Sequence, residues 1–187
     1  MTTSTLSDIH QFSTILHNDP SLSPSLKVRH SPDPLLSYTV SNIHNLVLCS
    51  KEQRYYHHRL LPGLPSFVRH IYFRCRLTPS VLVVALIYLE RLKRNLPSQA
   101  QGEYDTHYKL FLAAVLVASK FLEDCNTHAA SIFKAVSPVY TPRELKEMER
   151  SFLGVLKFDL YVDLMEMYQY IYDHQDALGL ELRFQQS

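Results

Sequence analysis

The run Leu110-Phe111-Leu112-Ala113-Ala114-Val115-Leu116-Val117-Ala118 decides the architecture. It lies inside Thr106 to Leu122, which is apolar almost all round, and a helix of that composition must be enclosed by other helices. The run is far shorter than the roughly 20 residues that span a bilayer, so the enclosing surface has to come from the rest of the chain. The small pairs Ala113-Ala114 and Ala118-Ser119 allow close approach of those neighbours. The segment closes on Ser119-Lys120-Phe121, followed by Glu123-Asp124.

Moving outward, Phe67, Val68, Ile71, Tyr72 and Cys75 share one helical face after the turn-like Leu61-Pro62-Gly63-Leu64-Pro65. Thr78-Pro79 then supplies a hydroxyl cap and a first-turn proline for a helix from Val81 to Arg94, with Leu82, Ala85, Leu86, Leu89 and Leu92 as its apolar stripe. Beyond the central run, Ile132, Phe133 and Val136 predict a short amphipathic helix ending at Pro138. Thr141-Pro142-Arg143-Glu144 is a capping box that opens a helix burying Leu145, Met148, Phe152 and Val155. Asp163 to Glu166 repeats the box form and starts a last helix reaching about His174. No strand pattern competes. The expected fold is all-α: five helices spanning residues 60–160 around their buried third member, with short extra helices before and after. Residues 35–59 supply the first of these, over Leu35–Cys49, and a linker, and 161–187 the last with a tail. Residues 1–34, rich in Ser and Thr with Pro20, Pro24, Pro32 and Pro34, are expected to be flexible because they offer little to bury.

The composition excludes several function classes. With four glycines among 187 residues, nucleotide cradles built on glycine are not expected. No nucleophile elbow, phosphate loop or paired carboxylates support catalysis. Cys49, Cys75 and Cys125 are scattered and odd in number, which suits reduced thiols in the cytosol or nucleus better than a disulfide framework or a structural zinc site. The first ten residues lack a signal peptide's charged flank and apolar run. Ten histidines include the pair His57-His58, but no ligand spacing is recognisable and adjacent side chains diverge on regular elements, so no metal and no cofactor are expected. Net charge is +1, yet Lys51 to Arg94 holds nine basic residues against Glu52 and Glu90, which suggests a basic surface facing a partner. Ser23-Pro24 and Ser31-Pro32 read either as loop punctuation or as phosphosites at Ser23 and Ser31.

Five blocks then occur in order: Leu77-Thr78-Pro79-Ser80-Val81-Leu82, Tyr88-Leu89-Glu90-Arg91-Leu92, Leu116-Val117-Ala118-Ser119-Lys120-Phe121, Glu144-Leu145-Lys146-Glu147-Met148-Glu149 and Leu156-Lys157-Phe158-Asp159-Leu160. Together they resemble a single cyclin box. Leu64-Pro65-Ser66-Phe67 and Lys120-Phe121-Leu122-Glu123-Asp124 resemble the fungal Pho-type cyclins, which activate a phosphate-responsive cyclin-dependent kinase. The resemblance implies a regulatory subunit without chemistry of its own, which binds a cyclin-dependent protein kinase, pushes its signal helix inward, aligns its catalytic groups and helps select its substrates. It implies kinase contact through Lys120 and Glu149, with Phe121, Leu122, Leu153 and Phe158 as apolar contacts. On the residues alone, Lys120 reads equally as a charge complementing a helix C-terminus, and Glu149 as a solvated carboxylate near Lys146 or Arg150. Phe158 reads as plug or contact.

Two departures stand out. Leu60-Leu61-Pro62-Gly63-Leu64 replaces the docking motif that opens the first helix of mitotic-type cyclins, and Glu90 replaces an aspartate. We therefore expect Arg69 and Arg76, with Arg91, Lys93 and Arg94 nearby in sequence, either to dock acidic or phosphorylated substrate motifs or simply to form a solvated face. Two alternatives remain open at this level: a helical adaptor that activates no kinase, and a transcription-factor-type cyclin fold on nucleic acid. One box and near-neutral charge argue against the second, so neither nucleic acid nor membrane is expected as partner.

Overall fold

The computed structural model describes residues 22–122 and 127–186. In chain order the elements are β1 (Leu22–Val28), α1 (Asp33–His44), β2 (Leu48–Cys49), a 3-10 turn (Tyr56–Leu60), α2 (Leu64–Arg74), α3 (Pro79–Asn95), β3 (Gln101–Gly102), α4 (Thr106–Leu122), α5 (Thr127–Val136), α6 (Pro142–Val155), α7 (Leu164–Leu178) and β4 (Leu180–Gln186). The architecture is all-α in its core. Among the described residues no helix is long and apolar enough to cross a membrane.

Helix α4 is buried from Phe111 to Ser119. It shares the centre with α3, which is buried continuously from Val81 to Leu89. Helix α3 packs against α4 and also against α1, α7 and β1, all three outside the five-helix box. The expectation of a single enclosed helix therefore becomes an enclosed pair. The stripe predicted on α3 is correct, but Val81, Val83, Val84 and Ile87, outside that stripe, are buried too. Helices α2, α5 and α6 pack around α4 and complete the box.

Local chemistry sets the helix starts. Thr78 Oγ1 accepts the Val81 N–H at 3.4 Å, and Asp163 Oδ1 accepts the Glu166 N–H at 2.7 Å. At α6 the box is reciprocal: Glu144 N–H donates to Thr141 Oγ1 at 3.2 Å and Thr141 N–H to Glu144 Oε2 at 2.7 Å. Thr141→Ala is expected to cost about 1 kcal/mol in urea unfolding with an unchanged slope. The Thr141 N–H, foremost, holds the Glu144 carboxyl below its ordinary value of 4.5. A depressed carboxyl stabilises the fold above its unfolded pKa and ceases to do so as pH falls through the folded one. Glu144→Gln should therefore flatten the acid limb of the stability profile below that value.

Three expectations change. The flexible segment expected to reach residue 34 instead forms β1 from Leu22, and α1 begins at Asp33 and ends at His44, short of Cys49; residues 1–21 lie outside the described residues. Ser23 falls within β1 and its side chain lies outside the described residues. At the other end α7 runs a turn past His174, and the tail becomes β4, antiparallel to β1 with Val28 opposite Leu180, Leu26 opposite Leu182 and Pro24 opposite Phe184. Gly179 makes the corner between α7 and β4. Its φ is +60°, and a Cβ there would come within 3.0 Å of Pro34, so both conformation and space call for glycine. Cys49 and Cys75 are free thiols, and burial pushes Cys75 up to about 11; Cys125 lies outside the described residues.

Candidate partner-binding face

The C-terminal turn of α4 meets α6 through one ion pair. Lys120 Nζ donates to Glu149 Oε1 at 2.6 Å, so Glu149 is held by Lys120 across the helix interface and not simply solvated beside Lys146 or Arg150. The lysine also complements the carbonyl end of α4. Around the pair, Phe121 and Leu122 are exposed, and Leu153, one turn after Glu149, is half-buried against the core.

Phe158 is no plug: 69% of its surface is open. Its position follows from how α6 ends. Lys157 N–H donates to the Gly154 carbonyl and Phe158 N–H to the Leu153 carbonyl, a left-handed cap formed without glycine, with φ +52° at Lys157 and +58° at Phe158. A bulky residue at positive φ persists only where its surroundings hold it.

Those surroundings come from α3. Tyr88 Oη donates to the Leu160 carbonyl at 2.8 Å. Arg91, one turn on, donates from Nη1 to the Asp159 carbonyl (2.9 Å) and from Nη2 to the Tyr161 carbonyl (2.8 Å) and the two Glu166 carboxylate oxygens (2.8 and 2.7 Å). The link from α6 to α7 is thereby pinned to the central helix with Phe158 and Tyr161 facing outward. Phe121 packs edge-on over Tyr88 at 6.3 Å, joining the end of α4 to the same support. Burial foremost pushes the Tyr88 hydroxyl well above its ordinary range, so it donates and does not ionise. Sequence reasoning missed Tyr161 and Leu164, both exposed next to this link, because exposure of an apolar residue depends on the path of the loop.

The basic surface is reshaped. Arg91 is buried and committed, so it leaves the group assembled from neighbouring sequence positions. Arg69 lies exposed on α2, paired with Asp33 and 5.0 Å over the Phe73 ring. Arg76 is exposed beyond the last turn of α2 at φ +52°, in a left-handed cap, and does not continue the Arg69 face. Ser31 Oγ donates to Asp33 Oδ2 at 2.7 Å, and this bond first, then Arg69, holds the Asp33 carboxyl below its usual range.

The histidine pair also differs from expectation. His57 and His58 lie in the 3-10 turn with ring centroids 4.6 Å apart, and both approach Asp105, immediately before α4. The premise that neighbouring side chains cannot share a site fails because a tight turn, unlike a strand, need not send them to opposite sides.

The Cyclin family model matches residues 8–160, most of the chain. The chain belongs to the cyclin family. Among known cyclins it is similar to PHO85 cyclin-1 of Saccharomyces cerevisiae, 29% identical over 107 residues that make up 57% of this chain and 38% of the relative. It is also similar to Cyclin-P2-1 of Oryza sativa subsp. japonica, 35% identical over 113 residues (58% and 48%), and to Cyclin-U4-1 of Arabidopsis thaliana, 33% over 99 residues (53% and 48%). The matched part of this cyclin thus spans half or less of each relative's length. Its likeness to PHO85 cyclins agrees with the Pho-type resemblance of the sequence blocks.

Proposed function

We propose that this cyclin is the regulatory subunit of a cyclin-dependent protein kinase, which it binds and activates through the face centred on Lys120 and Glu149. The observation that carries the reading is the 2.6 Å Lys120–Glu149 pair at the meeting of α4 and α6, with Phe121 and Leu122 exposed next to Lys120 in the chain, Leu153 one turn after Glu149 and Phe158 exposed beyond the end of α6. A charged pair that offers both donors and acceptors, with exposed apolar side chains near it in the chain, suits a partner's helix: the apolar residues bury area while the pair meets main-chain polar groups at its end. The subunit contributes no chemistry of its own; catalysis belongs to the kinase. Its compartment in this reading is the cytosol or nucleus, where free thiols persist.

Co-purification with a panel of cyclin-dependent kinases, followed by kinase assay, tests the proposal. One kinase is expected to bind and gain activity. Binding without a gain in activity would make the chain an adaptor, and retention on DNA that falls steeply with salt would favour the nucleic-acid reading.

Substrate selection at Arg69 and Arg76 is a separate prediction. Arg69→Glu with Arg76→Glu should leave kinase binding intact and lower phosphorylation of acidic or already phosphorylated substrates. Asp33→Asn serves as control for loss of the Arg69 pair. Unchanged phosphorylation of every substrate removes the docking role.

A further inference from the structure

We propose that His57, His58 and Asp105 form a binding site for a divalent transition ion of the zinc class, at the end of α4 opposite the kinase face. No step of the proposed kinase activation depends on it. The ligand-capable atoms of the three residues lie within 4.8 Å of one another. Asp105 Oδ2 is 3.4 Å from His57 Nε2 and 3.5 Å from His58 Nε2.

Those distances are long for hydrogen bonds between ring nitrogen and carboxylate, which centre near 2.9 Å. They match the edge of a tetrahedron around zinc: with metal–donor bonds of 2.0–2.1 Å, neighbouring donors stand about 3.3 Å apart. His58 supplies an independent observation. It is 1% exposed, and among the described residues neither of its ring nitrogens has a hydrogen-bond partner, although Nε2 stands 3.5 Å from the carboxylate. Buried polar atoms are nearly always satisfied, and an ion between the rings and Oδ2 would satisfy this one.

The carboxylate is already oriented for the task. Lys109 Nζ lies 2.9 Å from Oδ1, which leaves Oδ2 to the histidines, and Tyr140 Oη donates to Oδ2 at 3.2 Å. The Tyr140 hydroxyl thus acts as a donor that positions the carboxylate. Glu103 lies 4.0 Å from Lys109 Nζ, and Glu144 is within electrostatic reach of both His57 and Lys109, so acidic groups offset the added charge. A cavity of about 340 Å³, lined by His58 with Ser50, Glu52, Arg54, Glu103 and Tyr104, reaches one of the three ligands. Two imidazoles and one carboxylate select Zn²⁺, Co²⁺ or Ni²⁺ over Mg²⁺ or Ca²⁺. Bound there, the ion would tie the turn preceding α2 to the first residue before α4 and, through Tyr140, to the start of α6.

Co²⁺ titration of the full chain, followed by Zn²⁺ competition against a chromophoric chelator and by thermal melts with Zn²⁺ or with EDTA, tests the site. One ion per chain is expected, with visible d–d bands for Co²⁺ and a Tm raised by Zn²⁺ and restored by EDTA. His57→Gln and Asp105→Asn should each weaken Zn²⁺ binding at least about tenfold. His44→Gln, at a histidine on α1 whose ring lies edge-on to His107 with centroids 4.9 Å apart, should leave it unchanged. His57 is partly exposed, so its variant decides the matter if Asp105→Asn or His58→Ala does not fold. Absence of binding at micromolar zinc, or affinity unaltered by His57→Gln, overturns the proposal.

Discussion

Combining Lys120→Ala with Glu149→Ala is expected to abolish kinase binding and activation while the chain still unfolds as one cooperative unit. The two outcomes separate because the pair is worth little to the fold. Lys120 is 43% exposed at its side chain, and ion pairs of that kind contribute about 0–1 kcal/mol. Anchors at the centre of an interface cost 2 kcal/mol or more on truncation, roughly a thirtyfold loss of affinity for each. A charge swap, Lys120→Glu with Glu149→Lys, sharpens the test. It keeps an ion pair between α4 and α6 and reverses the donor and acceptor offered to the kinase, so stability should be retained and activation lost. A double alanine variant that activates as well as the wild type would remove these two residues from the mechanism.

The largest expected effect on stability is at Arg91. Arg91→Ala removes a side chain only 10% exposed and leaves the Asp159 and Tyr161 carbonyls and the Glu166 carboxylate without their donor. Breaking a fully buried pair costs 3–5 kcal/mol, and the partial exposure of Glu166 and Asp159 reduces this to about 2–4 kcal/mol. Arg91→Lys should recover only part of the loss, because a single ammonium nitrogen cannot stand both where Nη1 serves the Asp159 carbonyl and where Nη2 serves the Tyr161 carbonyl and Glu166. Urea unfolding measures the cost. Hydrogen exchange should localise it to residues 159–166, and kinase binding should weaken with Lys120 and Glu149 intact, because Phe158 and Tyr161 lose their support. Full protection of that link in Arg91→Ala would show that Tyr88 alone holds it.

Arg91 also shows where reading the chain in one dimension stops. By sequence it belongs to a basic cluster with Lys93 and Arg94; in space it faces a link some 70 residues away, and its charge is spent inside the molecule. The histidine pair is the opposite case. His57 and His58 carry no recognisable ligand spacing because their third companion, Asp105, is 47 residues beyond His58 and is brought near only by the return of the chain at α4. The terminal ribbon had a local signal. Apolar residues alternate at Leu22, Pro24, Leu26 and Val28 and again at Leu180, Leu182 and Phe184, and the register pairs the last three of the first set with the second. The abundance of serine and proline in the first strand obscured it.

What the sequence by itself determined were the features encoded within a few residues: the enclosed run Leu110–Ala118, the caps at Thr78, Thr141 and Asp163, the all-α class, and the blocks that mark the family. Capping bonds and helical periodicity act over one or two turns, so their residues are neighbours in the chain. The tertiary structure alone decided that α3 is enclosed as fully as α4, that Lys120 holds Glu149, that Arg91 is buried, that Phe158 faces outward and that Asp105 stands beside two histidines. Each depends on contacts between segments 29 to 75 residues apart or on helices packed from outside the box, where the net outcome is set by which surfaces meet and not by the residues' own preferences.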